Sequence, residues 1–361
     1  MARARLGTVV CAAACALAAC QPDFTPPSEI HGVRVLAVRQ DPASGVPGGS
    51  VKLELLYADD RSPTTAADGS PVTPPPVQIR WIAGCNNPPS RQYYACAPTL
   101  RALGADPNIA TSGLVGAGTD FSVTLPDDIL SSAPKLASDP VHYGVSYVFF
   151  AACGGQIVTD GSDGFPFGCV DGSGAPVPPA DFVIGFTTIY AYEGAENQNT
   201  NPALDGIDFD GASVLPVLAF DADADTPAPK ACMSDADCAD VPFSHRAVCS
   251  EKSTCAPLVS ACKGKKCPSY PVLPHVSSAS FQTFTGENEI MWASFYTTLG
   301  SFDDDTRLLD DRVNGPTRDP GTGWLAPEPE ASGMRRTSTI WVTVNDQRGG
   351  VTWASFEVVA Q

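Results

Sequence analysis

Cysteine, aspartate and histidine are the residues of this chain that could do chemistry, and the spacing of the cysteines says most. Thirteen cysteines occur in 361 residues. Six of them, Cys232, Cys238, Cys249, Cys255, Cys262 and Cys267, crowd into one stretch with few large apolar residues between them. A segment so poor in core material needs covalent staples. Cys85 and Cys96, and then Cys153 and Cys169, are spaced to clamp one loop each. Each such closure contributes about 3 kcal/mol in the chain-entropy account. An inter-strand bridge such as Cys85–Cys153 is an open alternative, and within the group of six no pairing is assigned. His245 sits among those six. In a reducing compartment that cluster would suggest zinc; in an oxidising one it reads as disulfides.

The aspartates are the second candidate. Asp221, Asp223 and Asp225 alternate in DADAD, Asp205, Asp208 and Asp210 lie in DGIDFDG, and Asp303, Asp304 and Asp305 form a third group. Calcium takes six to eight oxygens, so Asp221, Asp223 and Asp225 are weak candidate ligands for Ca2+. Counted from Asp221, the Gly and Glu that an EF-hand loop requires are replaced by Thr226 and Cys232. Solvated acidic loops are the default reading, and no cofactor is expected. Nucleophilic machinery is missing from the pattern. There is no G-x-S-x-G, the four histidines (His31, His142, His245, His275) stand in unrelated contexts, and no phosphate-binding glycine loop occurs.

Compartment decides between thiol chemistries, and the first twenty residues address it. Arg3 and Arg5 precede an apolar stretch from Leu6 to Leu17, followed by Leu17-Ala18-Ala19-Cys20. About a dozen apolar residues are too few to span a bilayer, which needs roughly 20. This segment resembles the signal peptide of a bacterial lipoprotein. Leu17, Ala18 and Ala19 match the lipobox, and Cys20 matches the cysteine that takes the lipid. The resemblance implies export, acylation at Cys20 and attachment to a membrane through that lipid. One acyl chain holds a protein only marginally; lipoproteins of this kind carry three. Gln21 after the lipid site leans towards the outer membrane. Cys11 and Cys15 leave with residues 1–19, Cys20 is acylated, and an even number of cysteines remains for disulfides.

Composition points to strands. Charged residues make up 17%, against 32 glycines and 34 prolines, and long stretches of helical apolar spacing are absent. The formal charge is -18. An acidic surface of this size disfavours nucleic acid and anionic membranes as partners.

After a polar, Pro-rich tether over 20–30, the pattern alternates with period two. Val51, Leu53, Leu55 and Tyr57 share one face, against Lys52 and Glu54 on the other. Val77, Ile79 and Trp81 form the next such run, and a bulky Trp on a third strand suits a β-sandwich core. Further runs lie at Phe121–Leu125, 145–153 and 182–192. Together they predict an immunoglobulin-like sandwich over 31–195. Residues 196–279 read as linker and Cys-rich module. Residues 280–361 read as a smaller sandwich that ends in a hairpin around Asp346-Gln347-Arg348-Gly349-Gly350. Trp81, Trp292, Trp341 and Trp353 are assigned to core packing. Trp324, in the loop-like GTGWLAPEP, is assigned a satellite core contact, with an exposed sugar-stacking ring as its alternative.

Several short pieces carry a further resemblance. VRVLAVRQDPASGVPGGSVKLELLYAD, NTNPALDGIDFDG and NDQRGGVTW are similar to parts of uncharacterised surface lipoproteins of myxobacteria and related Gram-negative bacteria, and CMSDADCAD resembles their Cys-rich repeats. That group implies Ig-like or PKD-like modules and surface anchoring, and no activity. The expected fold class is therefore all-β: two Ig-like antiparallel β-sandwiches with an intervening disulfide-rich, loop-rich module. The expected function is a lipid-anchored cell-envelope protein that binds an unknown protein or glycan or serves structurally, without catalysis. The competing expectation is an exported hydrolase acting on polysaccharide, with the sandwiches as accessory modules.

Overall fold

The computed structural model describes residues 26–361, except 66–69, 107, 138, 160–164, 215–217, 220–229, 265 and 331–332. The first sandwich is built from β1 (Val33–Asp41), β2 (Ser50–Asp59), β3 (Gln78–Asn86), β4 (Val115–Ala117), β5 (Asp120–Thr124), β6 (Tyr143–Cys153) and β7 (Phe182–Tyr192). One sheet has the order β1-β2-β5 and the other β7-β6-β3-β4. Chain order and sheet order together give the Greek-key connectivity of an immunoglobulin domain. The period-two patterning explains the layers: Val51, Leu53 and Leu55 point inward from β2, and Val148, Phe150 and Ala152 do so from β6. Trp81 is fully buried between them, 5.9 Å from the Phe121 ring and 5.6 Å from Phe150. Its Nε1 donates to the Gly118 carbonyl at 2.8 Å, which satisfies the one polar atom it carries inside.

The second sandwich repeats the plan. Its strands are β8 (Leu204–Phe209), β9 (Ala212–Val214), β10 (Ala247–Cys249), β11 (Cys255–Val259), β12 (Ser269–Val276), β13 (Met291–Thr297), β14 (Thr306–Asp311), β15 (Thr322–Leu325), β16 (Arg336–Asp346) and β17 (Val351–Ala360). One sheet runs β9-β8-β12-β15 and ends on the short Ser301–Phe302 strand. The other runs β10-β11-β17-β16-β13-β14 and ends on Gly315–Pro316. The two cores are separate clusters of buried side chains, one around Trp81 and one around Phe295, Trp324 and Phe356.

The sequence boundary at 280 is corrected by this pairing. Strands β8, β9 and β12 belong to the second sandwich, so that domain begins near Leu204, and the Cys-rich stretch is an insertion between its first and second long strands. The sequence hid this because β12 carries Pro271 and Pro274, and proline normally argues against an internal strand. Here β15 flanks only Ser269–Val272 and β8 only Val272–Val276. Pro274 therefore lies past the end of the β15 ladder, and Pro271 lies past the end of the β8 ladder, where its carbonyl still accepts the Asp210 N–H at 2.8 Å.

Trp324 is also relocated. It lies on β15, fully buried at the centre of the second core, and its Nε1 donates to Thr297 Oγ1 and the Leu299 carbonyl, each at 3.2 Å. The flanking glycines and prolines disguised a strand of four residues as a loop.

Strand β17 is buried on both faces along its whole length. Ala354, Phe356, Val358 and Ala360 face the core of its own sandwich. On the opposite face, Val351 and Trp353 meet Ile30, Leu36, Leu56 and Ala58 of the first sandwich, and Val359 meets Val248 and Ala256 of the insertion. Strand β11 also extends the sheet by pairing in parallel with β17 through Leu258 and Val259. One strand thus pairs with its own sandwich and the insertion and packs against the first sandwich.

Candidate binding cleft between the sandwiches

All ten remaining cysteines among the described residues are paired: Cys85–Cys96, Cys153–Cys169, Cys232–Cys249, Cys238–Cys255 and Cys262–Cys267. The first two close single loops, and Cys85 has no bond to Cys153. Within the insertion, the Cys232 and Cys238 bridges interleave. The sulfurs of Cys232, Cys238 and Cys255 come within 4.8 Å of one another. Each is spent in a disulfide, so this grouping offers no thiolate to a metal. His245 instead contacts Asp210 at 2.7 Å and ties the insertion to β8. His275 contacts Asp208 at 2.8 Å on the same strand. Asp208 and Asp210 of DGIDFDG are therefore partners of histidines. Asp304 holds Arg307 at 2.7 Å, and Asp303 accepts from Ser269 Oγ at 3.2 Å. His142 contacts Glu193 at 3.3 Å and His31 contacts Glu29 at 3.4 Å. Cys20 and the weak calcium candidates Asp221, Asp223 and Asp225 lie outside the described residues.

The site that sequence reasoning missed is centred on Arg348, at the tip of the β16–β17 hairpin. Asp346 Oδ1 accepts the N–H groups of Arg348 and Gly350, each at 2.8 Å, and so shapes the turn. Gly349 adopts a φ of 94°, a value open to glycine. The turn aims the Arg348 side chain between the sandwiches. Its guanidinium makes a fork to Glu289 at 2.6 and 2.9 Å and donates to the Asn197 carbonyl at 3.0 Å and Gln282 Oε1 at 3.2 Å. It lies 4.5 Å above the Phe284 ring. Arg348 and Glu289 are 4% and 2% exposed, so their charges are tolerable only because each neutralises the other. Asn199 Nδ2 reaches both oxygens of Asp346, at 3.2 and 3.0 Å. Burial, and then the neighbouring Glu289 carboxylate, push the Asp346 carboxyl above its ordinary range, against the pull of these hydrogen bonds.

Beside this clamp opens a cleft of about 480 Å³, within the range of small-ligand sites. One wall comes from the first sandwich: Tyr143 on β6, and Tyr190 and Tyr192 on β7. The other comes from the second: Phe284, Glu287, Arg312 and Gln347. Tyr143 stands 5.8 Å from both Tyr190 and Tyr192, and Tyr192 stands 5.5 Å from Phe284. Arg312 pairs with Glu287 at 3.3 Å and donates to Gln347 Oε1, also at 3.3 Å. Burial raises the phenol pKa of Tyr190 and of Tyr192 well beyond neutral pH, so both remain O–H donors. The sequence signal was present in the alternation of aromatic residues along 182–192, on the face of β7 away from the core.

Fold and cleft define the class: an all-β protein of two immunoglobulin-like sandwiches with a disulfide-rich insertion and an aromatic cleft at the domain junction. No protein-family model matches the chain, and no curated protein matches it. Among solved structures it is similar to the D0-D1 domain of intimin, with 9% identity over 91% of this chain and 96% of that one, at a TM-score of 0.17. It is also similar to a Salmonella alpha-2-macroglobulin mutant and to E. coli alpha-2-macroglobulin in its native conformation, each with 10% identity and a TM-score of 0.18. The match takes in 94% of this chain but only 17% and 16% of those two proteins. Likenesses this faint say nothing of function, and the strand order alone carries the fold.

Proposed function

We propose that this chain is a lipid-anchored protein of the bacterial cell envelope that presents a fixed ligand-binding surface and performs no catalytic step. The observation that carries the binding role is the junction itself. The two sandwiches meet at a doubly covered β17 and at Arg348, which is paired with Glu289 of its own sandwich and donates to the Asn197 carbonyl just after β7, leaving an open, preformed cleft beside this contact. A rigid junction holds groups from two domains in fixed register, so little ordering cost remains when a ligand enters. The charged groups at the cleft are already engaged with one another. The anchor rests on the lipobox and Cys20, and the surface setting on the resemblance to myxobacteria-like lipoproteins.

Labelled palmitate incorporation tests the anchor. The wild type should label and Cys20→Ser should not; equal labelling would remove the lipid from the account. Incubation with envelope polysaccharides, monitored for shortened products, tests the absence of catalysis. Products that accumulate with time would replace this reading with that of an exported hydrolase.

A further inference from the structure

From the side chains that line β7, we infer that the junction cleft and the outer face of β7 form one site for a neutral, linear oligosaccharide. This assignment rests on the binding role proposed above and names its ligand class. Alternate residues of β7 project away from the core: Ile184, Phe186, Thr188, Tyr190 and Tyr192, while Ile189 and Ala191 point into it. At about 3.3 Å per residue, the row from Ile184 to Tyr192 extends roughly 26 Å. Ile184 and Phe186 are 47% and 40% exposed, although they lie on a sheet whose other outward rings are covered. Tyr93 stacks on Phe186 with ring centroids 4.5 Å apart, and is itself 47% exposed. At the far end, Tyr190 and Tyr192 lie 5.9 Å apart and nearly parallel, opposite Phe284 and the Arg312–Glu287 pair.

The presentation is rigid. The Cys85–Cys96 bridge fixes the segment that carries Tyr93. Arg91, just before it, is pinned by Asp139 at 2.7 Å and the Pro134 carbonyl at 2.6 Å, with its guanidinium 3.9 Å from the Tyr143 ring centre. Arg91 and Ser90 are held at φ 51° and 58°, backbone values that need such over-determined surroundings.

Three observations select the ligand. The row carries apolar side chains at one end (Ile184, Phe186) and hydroxyl-bearing ones at the other (Thr188, Tyr190, Tyr192), which suits a molecule with C–H faces and hydroxyl edges. Tyr143, Tyr190 and Tyr192 bring three phenol hydroxyls to the lining of the cleft, donors suited to a hydroxylated guest. The cleft's charges cancel, Arg312 against Glu287 and Arg348 against Glu289, so it selects for no net charge. A peptide adding itself as a strand finds the edge of β7 already occupied at this end. The Gly45 N–H donates to the Tyr190 carbonyl and Gln40 Nε2 to the Thr188 carbonyl, both at 2.8 Å.

The test titrates the full chain with neutral hexasaccharides of glucose, mannose, galactose and xylose, read by tyrosine fluorescence and calorimetry. Acidic galacturonate oligomers and a proline-rich peptide form separate arms. At least one neutral oligosaccharide should bind, with Kd raised about tenfold or more in Tyr190→Ala and in Phe186→Ala. Tyr190→Phe, which keeps the ring, should lose a smaller factor, and Met233→Ala, on the distant insertion, should change nothing. Thermal unfolding of each variant verifies that it is folded. No binding of any neutral oligosaccharide at millimolar concentration overturns the inference, as does binding that both alanine variants leave unchanged. Capture of only the proline-rich peptide, lost in Tyr190→Ala, overturns the saccharide while leaving the binding role intact. Binding accompanied by oligosaccharide cleavage keeps this site and overturns the non-catalytic reading instead.

Discussion

Removing the Arg348 guanidinium should destabilise the second sandwich at the face it turns to the junction, and the cost follows from its contacts. Arg348→Met deletes the fork to Glu289 and the bonds to the Asn197 carbonyl and Gln282, and it leaves Glu289 buried at 2% exposure without its counter-ion. Asp346, already raised by burial and by Glu289, remains beside it. Removing one partner of a buried pair costs about 3–5 kcal/mol, whereas replacing both with apolar groups of similar size is often close to neutral. Arg348→Met should therefore lose about 4 kcal/mol, roughly a 10 °C fall in Tm for a domain of this size. Arg348→Met with Glu289→Met should recover most of that loss. Differential scanning calorimetry with urea titration reads both, and the loss should fall on the transition of the second sandwich, which holds both partners of the pair. A loss below about 1 kcal/mol, or a double variant no better than the single, would refute the desolvated-pair reasoning.

Further expectations follow from the same structure. Asp346 has a raised folded pKa, so the folded state binds more protons than the unfolded one. Wild-type stability should then fall as pH rises from the unfolded carboxylate value near about 3.9 through the folded pKa of Asp346. Asp346→Asn should flatten that part of a stability–pH profile, and an unchanged slope would assign it to other groups. Trp324→Ala should cost about 3–5 kcal/mol by urea titration, since it empties the second core; a loss typical of a surface site would contradict its place there. Cys238→Ser with Cys255→Ser should cost about 3 kcal/mol. The loss should appear first as hydrogen exchange in β10 and β11, and protection as slow as in the wild type would show that the insertion does not need this staple.

The strand patterning and its turns were legible because one face of each strand is apolar and the other polar. Val51, Leu53 and Leu55 on β2 and Trp81 on β3 announced their layer by alternation alone. The pattern loses its power where both faces are apolar. The run VTWASFEVV reads as a buried strand, yet nothing in it tells that Trp353 meets the first sandwich while Val359 meets the insertion. Prolines in β12 and glycines around β15 concealed real strands, because local propensity is set against long-range pairing that a window of a few residues does not contain. Arg348 looked like an ordinary turn residue. Its role comes from Glu289, Gln282 and Asn197, each far away in the chain, and spacing cannot encode that meeting. The aromatic row on β7 was visible as composition, but its exposure depends on which neighbours leave it uncovered.

The double cover of β17 bears on how the molecule is assembled as it emerges. The chain separations spanned by the disulfides are 11, 16, 17, 17 and 5 residues, so each can close soon after its second cysteine appears. The covalent work is local and can proceed in vectorial order. The strand that joins first sandwich, insertion and second sandwich lies downstream of every residue it contacts. Until 351–360 is delivered, the sandwiches meet through the Glu29–Thr297 bridge and its neighbours, and the faces of Leu56 and Val248 that β17 covers lack that strand. Arrival of that one segment completes the cover shared by first sandwich, insertion and second sandwich, and it closes the hairpin whose turn carries Gln347 and Arg348 to the cleft.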